Sequence, residues 1–139
     1  ELKINRDFIE EAAMLHDIGI FRCDAPSIQC FGTEPYICHG MIGGRLLREK
    51  GLVRHAQVCE RHTGTGISRD QIQAQNLPLP LDGNYVPDTL EEQVVCYADK
   101  FYSKTHLDRE RTVEQTARSL EPFGEAGLKR FFQWVDIFE

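Results

Sequence analysis

Ala13-Met14-Leu15-His16-Asp17-Ile18-Gly19 closes an apolar stretch that begins at Phe8, and it sets an imidazole beside a carboxylate where a helix stops. Phe8, Ala12 and His16 recur at i, i+4 and i+8, so His16 shares the face that turns toward the core. Asp17 lies about 100° further round, with Ile9 and Ala13. Asn5 or Asp7 supplies an N-cap and Gly19 a stop, which predicts a helix from Phe8 to Asp17. A His-Asp pair at a buried helix end is costly unless something compensates it, and a bound cation would do so.

Helical patterns follow on the C-terminal side. Phe21 to Tyr36, with two prolines and a glycine, reads as a long irregular loop of the kind that borders a site. His39 opens a second helix that Gly51 ends, and a third, Val53 to His62, stops at Gly64-Thr65-Gly66. Ser68 with Gln71 and Thr89 with Glu92 are capping-box patterns. They start a short helix reaching about Asn76 and a longer one reaching about Thr105, with Leu77 to Pro87 as extended loop. Thr112 to Leu120 and Glu125 to Phe138 complete the set, and Leu128, Phe131, Phe132, Val135 and Phe138 form an apolar stripe suited to core packing. No alternating strand pattern stands out, so the expected fold is all-α: one helical bundle formed by residues 1–139.

Three more potential ligands arrive from other helices: His39 at a helix start, His62 at a helix end and Asp99 within a helix. With His16 and Asp17 they make the donor set of a divalent-metal site inside a helical bundle. His55 and His62 lie about 10 Å apart along one helix, too far to share an ion, and His62 is the one beside the turn. His55 is assigned a structural or surface role, and the same arithmetic keeps His106 away from Asp99. Imidazole and carboxylate together suit Mn, Fe, Co, Ni or Zn, with Mg also open, at one or two ions per chain.

Composition narrows the partners. The chain has 139 residues, 41% hydrophobic and 27% charged, as for a single globular domain, and its net charge of -6 disfavours a broad polyanion footprint. No nucleic acid polymer and no membrane are expected. Five cysteines without a C-x-x-C pair read as reduced thiols rather than a disulfide framework or a zinc knuckle. With no signal peptide and no apolar run of about 20 residues, the expected location is cytoplasmic. The C-terminal phenylalanines and Trp134 suit either core packing or a homodimer face.

The constellation resembles the HD-domain phosphohydrolase superfamily in its HDIG form. The resemblance spans about residues 12–105 and rests on four segments: Ala13 to Gly19, His39 four residues before Gly43, Glu60-Arg61-His62-Thr63-Gly64, and Tyr97-Ala98-Asp99-Lys100. It implies a bundle of the HD type with the helices of residues 110–139 packed on it, and a first helix lying upstream of residue 1. It further implies that His16, Asp17 and Asp99 hold one metal with a histidine from that upstream helix. His39 and His62 would hold a second metal bridged by Asp17, or face the substrate phosphate. Ile20 stands where many relatives carry lysine, which leaves Arg22, Lys100 or Lys104 to contact phosphate. The implied activity is hydrolysis of a small phosphorylated substrate, a nucleotide phosphomonoester or phosphoanhydride, by metal-activated water that Asp17 orients. Two other readings are a di-iron oxygenase on the same fold and a non-catalytic binding module with a degenerate site.

Overall fold

The computed structural model describes residues 1–139. Seven α-helices follow in order: α1 Arg6–Leu15, α2 His39–Glu49, α3 Val53–Arg61, α4 Arg69–Gln75, α5 Leu90–Asp99, α6 Val113–Leu120 and α7 Glu125–Phe138. Four of them begin at the side-chain caps that the sequence offers. Asn5, Ser68, Thr89 and Thr112 accept from the backbone N–H of Phe8, Gln71, Glu92 and Gln115. Only Thr112 and Gln115 close a reciprocal capping box. At Thr89 the expected box is half formed, because the Glu92 carboxylate turns instead to the Asp88 N–H at 2.7 Å and to Arg61.

The expected all-α class is corrected by two antiparallel ribbons. β1 Asp24–Ala25 pairs with β2 Cys30–Phe31, and β3 Tyr102–Ser103 pairs with β4 His106–Glu110. The helix expected to reach Thr105 ends at Asp99, with Lys100 as its C-cap. His106 to Glu110 is exposed throughout and so lacks the apolar alternation that marks a half-buried strand. Backbone pairing rather than a buried face holds it. The β1–β2 ribbon has two-residue strands, too short to leave a period in the loop of residues 21–36. At the N-terminal end α1 stops at Leu15, with His16 as C-cap and Asp17 already in the following turn, two residues before the predicted end.

Two contacts of glycine position the site. A Cβ on Gly19 would run into the backbone of Gly43 and of His39, and one on Gly40 would run into the Cys59 carbonyl. The turn after Asp17 therefore lies directly on α2, and α2 lies directly on α3, closer than any side chain would permit. Behind this contact Phe8 and Ala12 of α1 pack with Val58 of α3 and Val95 of α5. Tyr97, Phe101, Phe131 and Trp134 fasten α7 onto the end of α5. Phe131 and Trp134 are buried in that cluster, whereas Phe132 is exposed. No helix is long and apolar enough to cross a membrane.

Candidate functional site

Four helix ends and one turn bring His16, Asp17, His39, His62 and Asp99 together. His16 caps α1, Asp17 follows it, His39 opens α2, His62 caps α3 and Asp99 ends α5. Helix ends are where side chains can converge on a common point without distorting a ladder of backbone hydrogen bonds. Asp17 is central. Its Oδ1 stands 3.4 Å from His39 Nε2 and 3.3 Å from His62 Nε2, while its Oδ2 stands 3.2 Å from His16 Nε2. His16 Nε2 also meets Asp99 Oδ1 at 3.2 Å.

The protons of these rings are fixed by the backbone. Nδ1 of His16, His39 and His62 donates to the carbonyls of Ala13, Tyr36 and Cys59 at 2.5, 2.6 and 2.7 Å. A carbonyl only accepts, so each Nδ1 carries a hydrogen, and in a neutral ring Nε2 is left with its lone pair. His62 is kept neutral by burial, which pushes its pKa down to about 4. The result is an arrangement short of hydrogens. His39 Nε2 and His62 Nε2 lie 2.9 Å apart, and the buried Asp17 Oδ1 beside them has no hydrogen-bond partner. Three potential ligand atoms therefore face one point, and nitrogen and oxygen donors of this kind could hold a divalent transition ion. One ligand atom each from His16, Asp17 and His62 lies within 4.8 Å of the others, so these three could share one ion.

On the Oδ2 side positive charge is already present. Burial disfavours the charged form of His16, but hydrogen bonds to Asp17 and Asp99 outweigh it and raise the pKa to about 10. Burial would likewise raise the Asp17 and Asp99 carboxyls. The His16 hydrogen bond for Asp17, and the Lys100 charge for Asp99, hold them well below the usual carboxylate range. A cation entering here displaces a proton from His16. Cys59 and Cys96 lie close by, yet burial pushes both thiols up to about 12, so neither offers a thiolate.

The three residues expected to contact phosphate part ways. Lys104 sits at the turn of the β3–β4 ribbon and reaches Asp17 Oδ2 at 2.9 Å with a side chain one-third exposed. Lys100 is largely covered and spent internally, donating to Asp99 Oδ2 at 2.6 Å and to the His62 carbonyl at 3.0 Å. Arg22 is exposed, lies over the Phe21 ring and forms no ion pair. His55 is apart from the cluster, pairing with Glu11 at 2.8 Å.

Sequence reasoning missed the residues that hold the His62 turn in place. Cys96 Sγ donates to the His62 and Gly64 carbonyls, Arg130 donates to the Thr65 carbonyl at 2.8 Å, and Arg61 forks onto the buried Glu92 at 2.8 and 3.0 Å. Their bonds go mainly to backbone or to partners about 30 or more residues away, and no local pattern records such partners. Tyr36 was missed too. Its ring lies 4.6 Å from that of His39, tilted by 38°, and a tyrosine three residues ahead of a ligand is the one signal available.

Among known proteins, the chain is similar to the tRNA (cytidine(56)-2'-O)-methyltransferases of Picrophilus torridus, 34% identical over 104 residues, and Thermoplasma volcanium, 35% identical over 104 residues. These matches cover 74% and 73% of this chain but 26% and 27% of those proteins. An uncharacterized protein of Methanocaldococcus jannaschii is 36% identical over 98 residues, covering 70% of this chain and 50% of its own. The chain thus spans about a quarter of the length of the two methyltransferases and half of the third relative. No family model and no solved structure matches it.

These names correct the reading as an HD-domain phosphohydrolase. The relatives named for an activity are methyltransferases, neither hydrolases nor oxygenases nor non-catalytic binding modules, and the substrate in their names is a nucleic acid polymer. The expectation of a small phosphorylated substrate without nucleic acid falls with it. Both errors have a physical source. A His and Asp donor set states which atoms hold a cation and leaves open which bond is changed. A net charge averages the whole surface and does not describe one local point on it.

Proposed function

We propose that this chain takes part in tRNA 2'-O-methylation and meets the tRNA by way of a divalent cation held among His16, Asp17, His39, His62 and Asp99. The observation that carries the reading is the similarity, over about three quarters of the chain, to two proteins named as tRNA 2'-O-methyltransferases. A bound divalent cation supplies two positive charges to a polyanionic ligand.

The chain's own residues supply the rest. In the cation-free chain Lys100, Lys104 and the protonated His16 face the Asp17 and Asp99 carboxylates, and a divalent ion that displaces the His16 proton adds one further positive charge where Lys104 opens to solvent. Lys104 then turns from Asp17 to a backbone phosphate, while Lys100 stays in place and fixes the His62 turn against Asp99. The cytoplasm is the compartment that goes with this reading, in keeping with five free thiols.

The test is fluorescence anisotropy of labelled, unmodified tRNA titrated with the full chain in Mn²⁺ or Mg²⁺. Saturable binding that falls steeply with salt, and is lost in chelator and in Asp17→Asn, is the expected result. Binding no stronger than that of an acidic control protein, in every divalent ion tried, overturns the reading.

A further inference from the structure

We infer that Tyr36 and Lys104 together form the docking point for one unpaired nucleotide of an RNA strand, with the base stacked on the open face of the Tyr36 ring and an adjoining phosphate against the Lys104 ammonium. The inference rests on the tRNA reading above and names the part of the RNA that enters.

Tyr36 stands in the 3-10 turn Tyr36–Cys38 that leads into α2, and it is 42% exposed. The ring lies 4.6 Å from that of His39, and the Tyr36 backbone carbonyl accepts from His39 Nδ1 at 2.6 Å, so the ring is held against His39 while the residue stays open to solvent. The phenol hydroxyl forms no hydrogen bond within the chain. On the far side of His39 the geometry continues without a break. His39 Nε2 meets Asp17 Oδ1 at 3.4 Å, and Asp17 Oδ2 meets Lys104 Nζ at 2.9 Å. An aromatic ring and a partly exposed ammonium therefore stand at the two ends of the His39–Asp17 contact.

That pairing matches the two halves of a nucleotide. An aromatic ring gains from stacking on a base whatever the base's identity, because every base presents a π face, and an ammonium gains from a phosphate. Within a duplex both faces of a base are covered by its neighbours, so only an unpaired base can stack on a ring anchored to the protein. A single ring accommodates a single base, which limits the contact to one splayed nucleotide. A free nucleotide presents the same chemistry. The polymer is favoured because the backbone charge on either side of the base adds attraction toward a site made positive by its cation.

The experiment measures binding of the full chain, in saturating Mn²⁺, to a labelled RNA hairpin with an unpaired loop, to the same stem fully paired, and to CMP as competitor. Tyr36→Ala is expected to weaken loop binding about tenfold while leaving the paired stem unchanged, and Tyr36→Trp to restore it. Tyr36→Ala should still take up Mn²⁺ and unfold at the wild-type temperature, because the ring is exposed. Unchanged loop binding by Tyr36→Ala overturns the inference and leaves the tRNA reading standing. So does loss of Mn²⁺ uptake in that variant, which would make Tyr36 a support for His39. CMP competing at the same nucleotide concentration as the loop RNA overturns the assignment to a strand. Absence of any RNA binding by the wild-type chain overturns both this inference and the reading beneath it.

Discussion

The ammonium of Lys100 donates to the backbone carbonyl of His62 at 3.0 Å, so α5 grips the turn that ends α3. The same ammonium neutralises Asp99 at 2.6 Å. Replacing Lys100 with Met leaves a partly buried carboxylate facing His16 alone and a buried carbonyl supported only by the weaker Cys96 thiol. The expected loss is about 3 kcal/mol of stability, read from urea unfolding, with a further fall in Mn²⁺ affinity. Lys100→Arg should recover part of the stability.

The cation-free chain should be most stable near pH 6.5. His16 has its pKa raised to about 10 in the fold, so its contribution is complete below pH 6.5 and is lost as pH rises through 10. His62 has its pKa lowered to about 4, so its contribution is complete above pH 6.5 and is lost as pH falls toward 4. The depressed carboxyls of Asp17 and Asp99 add an acid-side loss that starts near their ordinary pKa. Thermal unfolding in chelator across pH 4 to 10 checks this. A plateau through that range would show that the imidazoles do not carry these charges.

Saturating Mn²⁺ or Zn²⁺ should raise the unfolding temperature by about 5–10 °C, the consequence of roughly 2.7 kcal/mol at a hundredfold excess over Kd. Asp17→Ala should abolish that rise, since Asp17 contacts all three imidazoles. His55→Ala should keep it in full, because His55 pairs with Glu11 instead.

Gly19→Ala should cost about 3 kcal/mol and lower ion affinity as well. Its methyl group would meet the backbone of Gly43 and of His39, neither of which can swing aside like a side-chain tip. The turn bearing Asp17 would have to lift from α2, carrying Oδ1 away from His39. Denaturant unfolding and Mn²⁺ titration of the variant separate the two effects.

The helices and the five converging residues were legible for one reason: both leave marks at fixed sequence spacing. Apolar residues three and four apart mark the buried face of α7, and a His-Asp pair at the end of α1 marks a point where polar groups meet. The ribbons were not legible. His106-Leu107-Asp108-Arg109-Glu110 is exposed on both sides, and its order comes from backbone pairing with Tyr102 and Ser103 rather than from side-chain burial. The inward turn of Lys100, a residue expected to contact phosphate, left no mark because its ion pair with Asp99 joins neighbouring residues, a placement that also suits a solvated pair. The biological role was least legible, since the donor set is common to many chemistries. Similarity to named methyltransferases redirected it, and no feature of the five residues would have done so.

Gly40, Gly43 and Gly44 give α2 three glycines in eleven residues, each about 1 kcal/mol poorer than alanine as a helix former. Such a segment cannot hold a helix in isolation, and what keeps it wound is its close packing against Gly19, Cys59 and Glu60. Its amide hydrogens should therefore have no private route to exchange with solvent. In native-state hydrogen exchange α2 should open together with α1 and α3 in a single event, so that the strand of chain carrying His39 is released only when the whole molecule lets go.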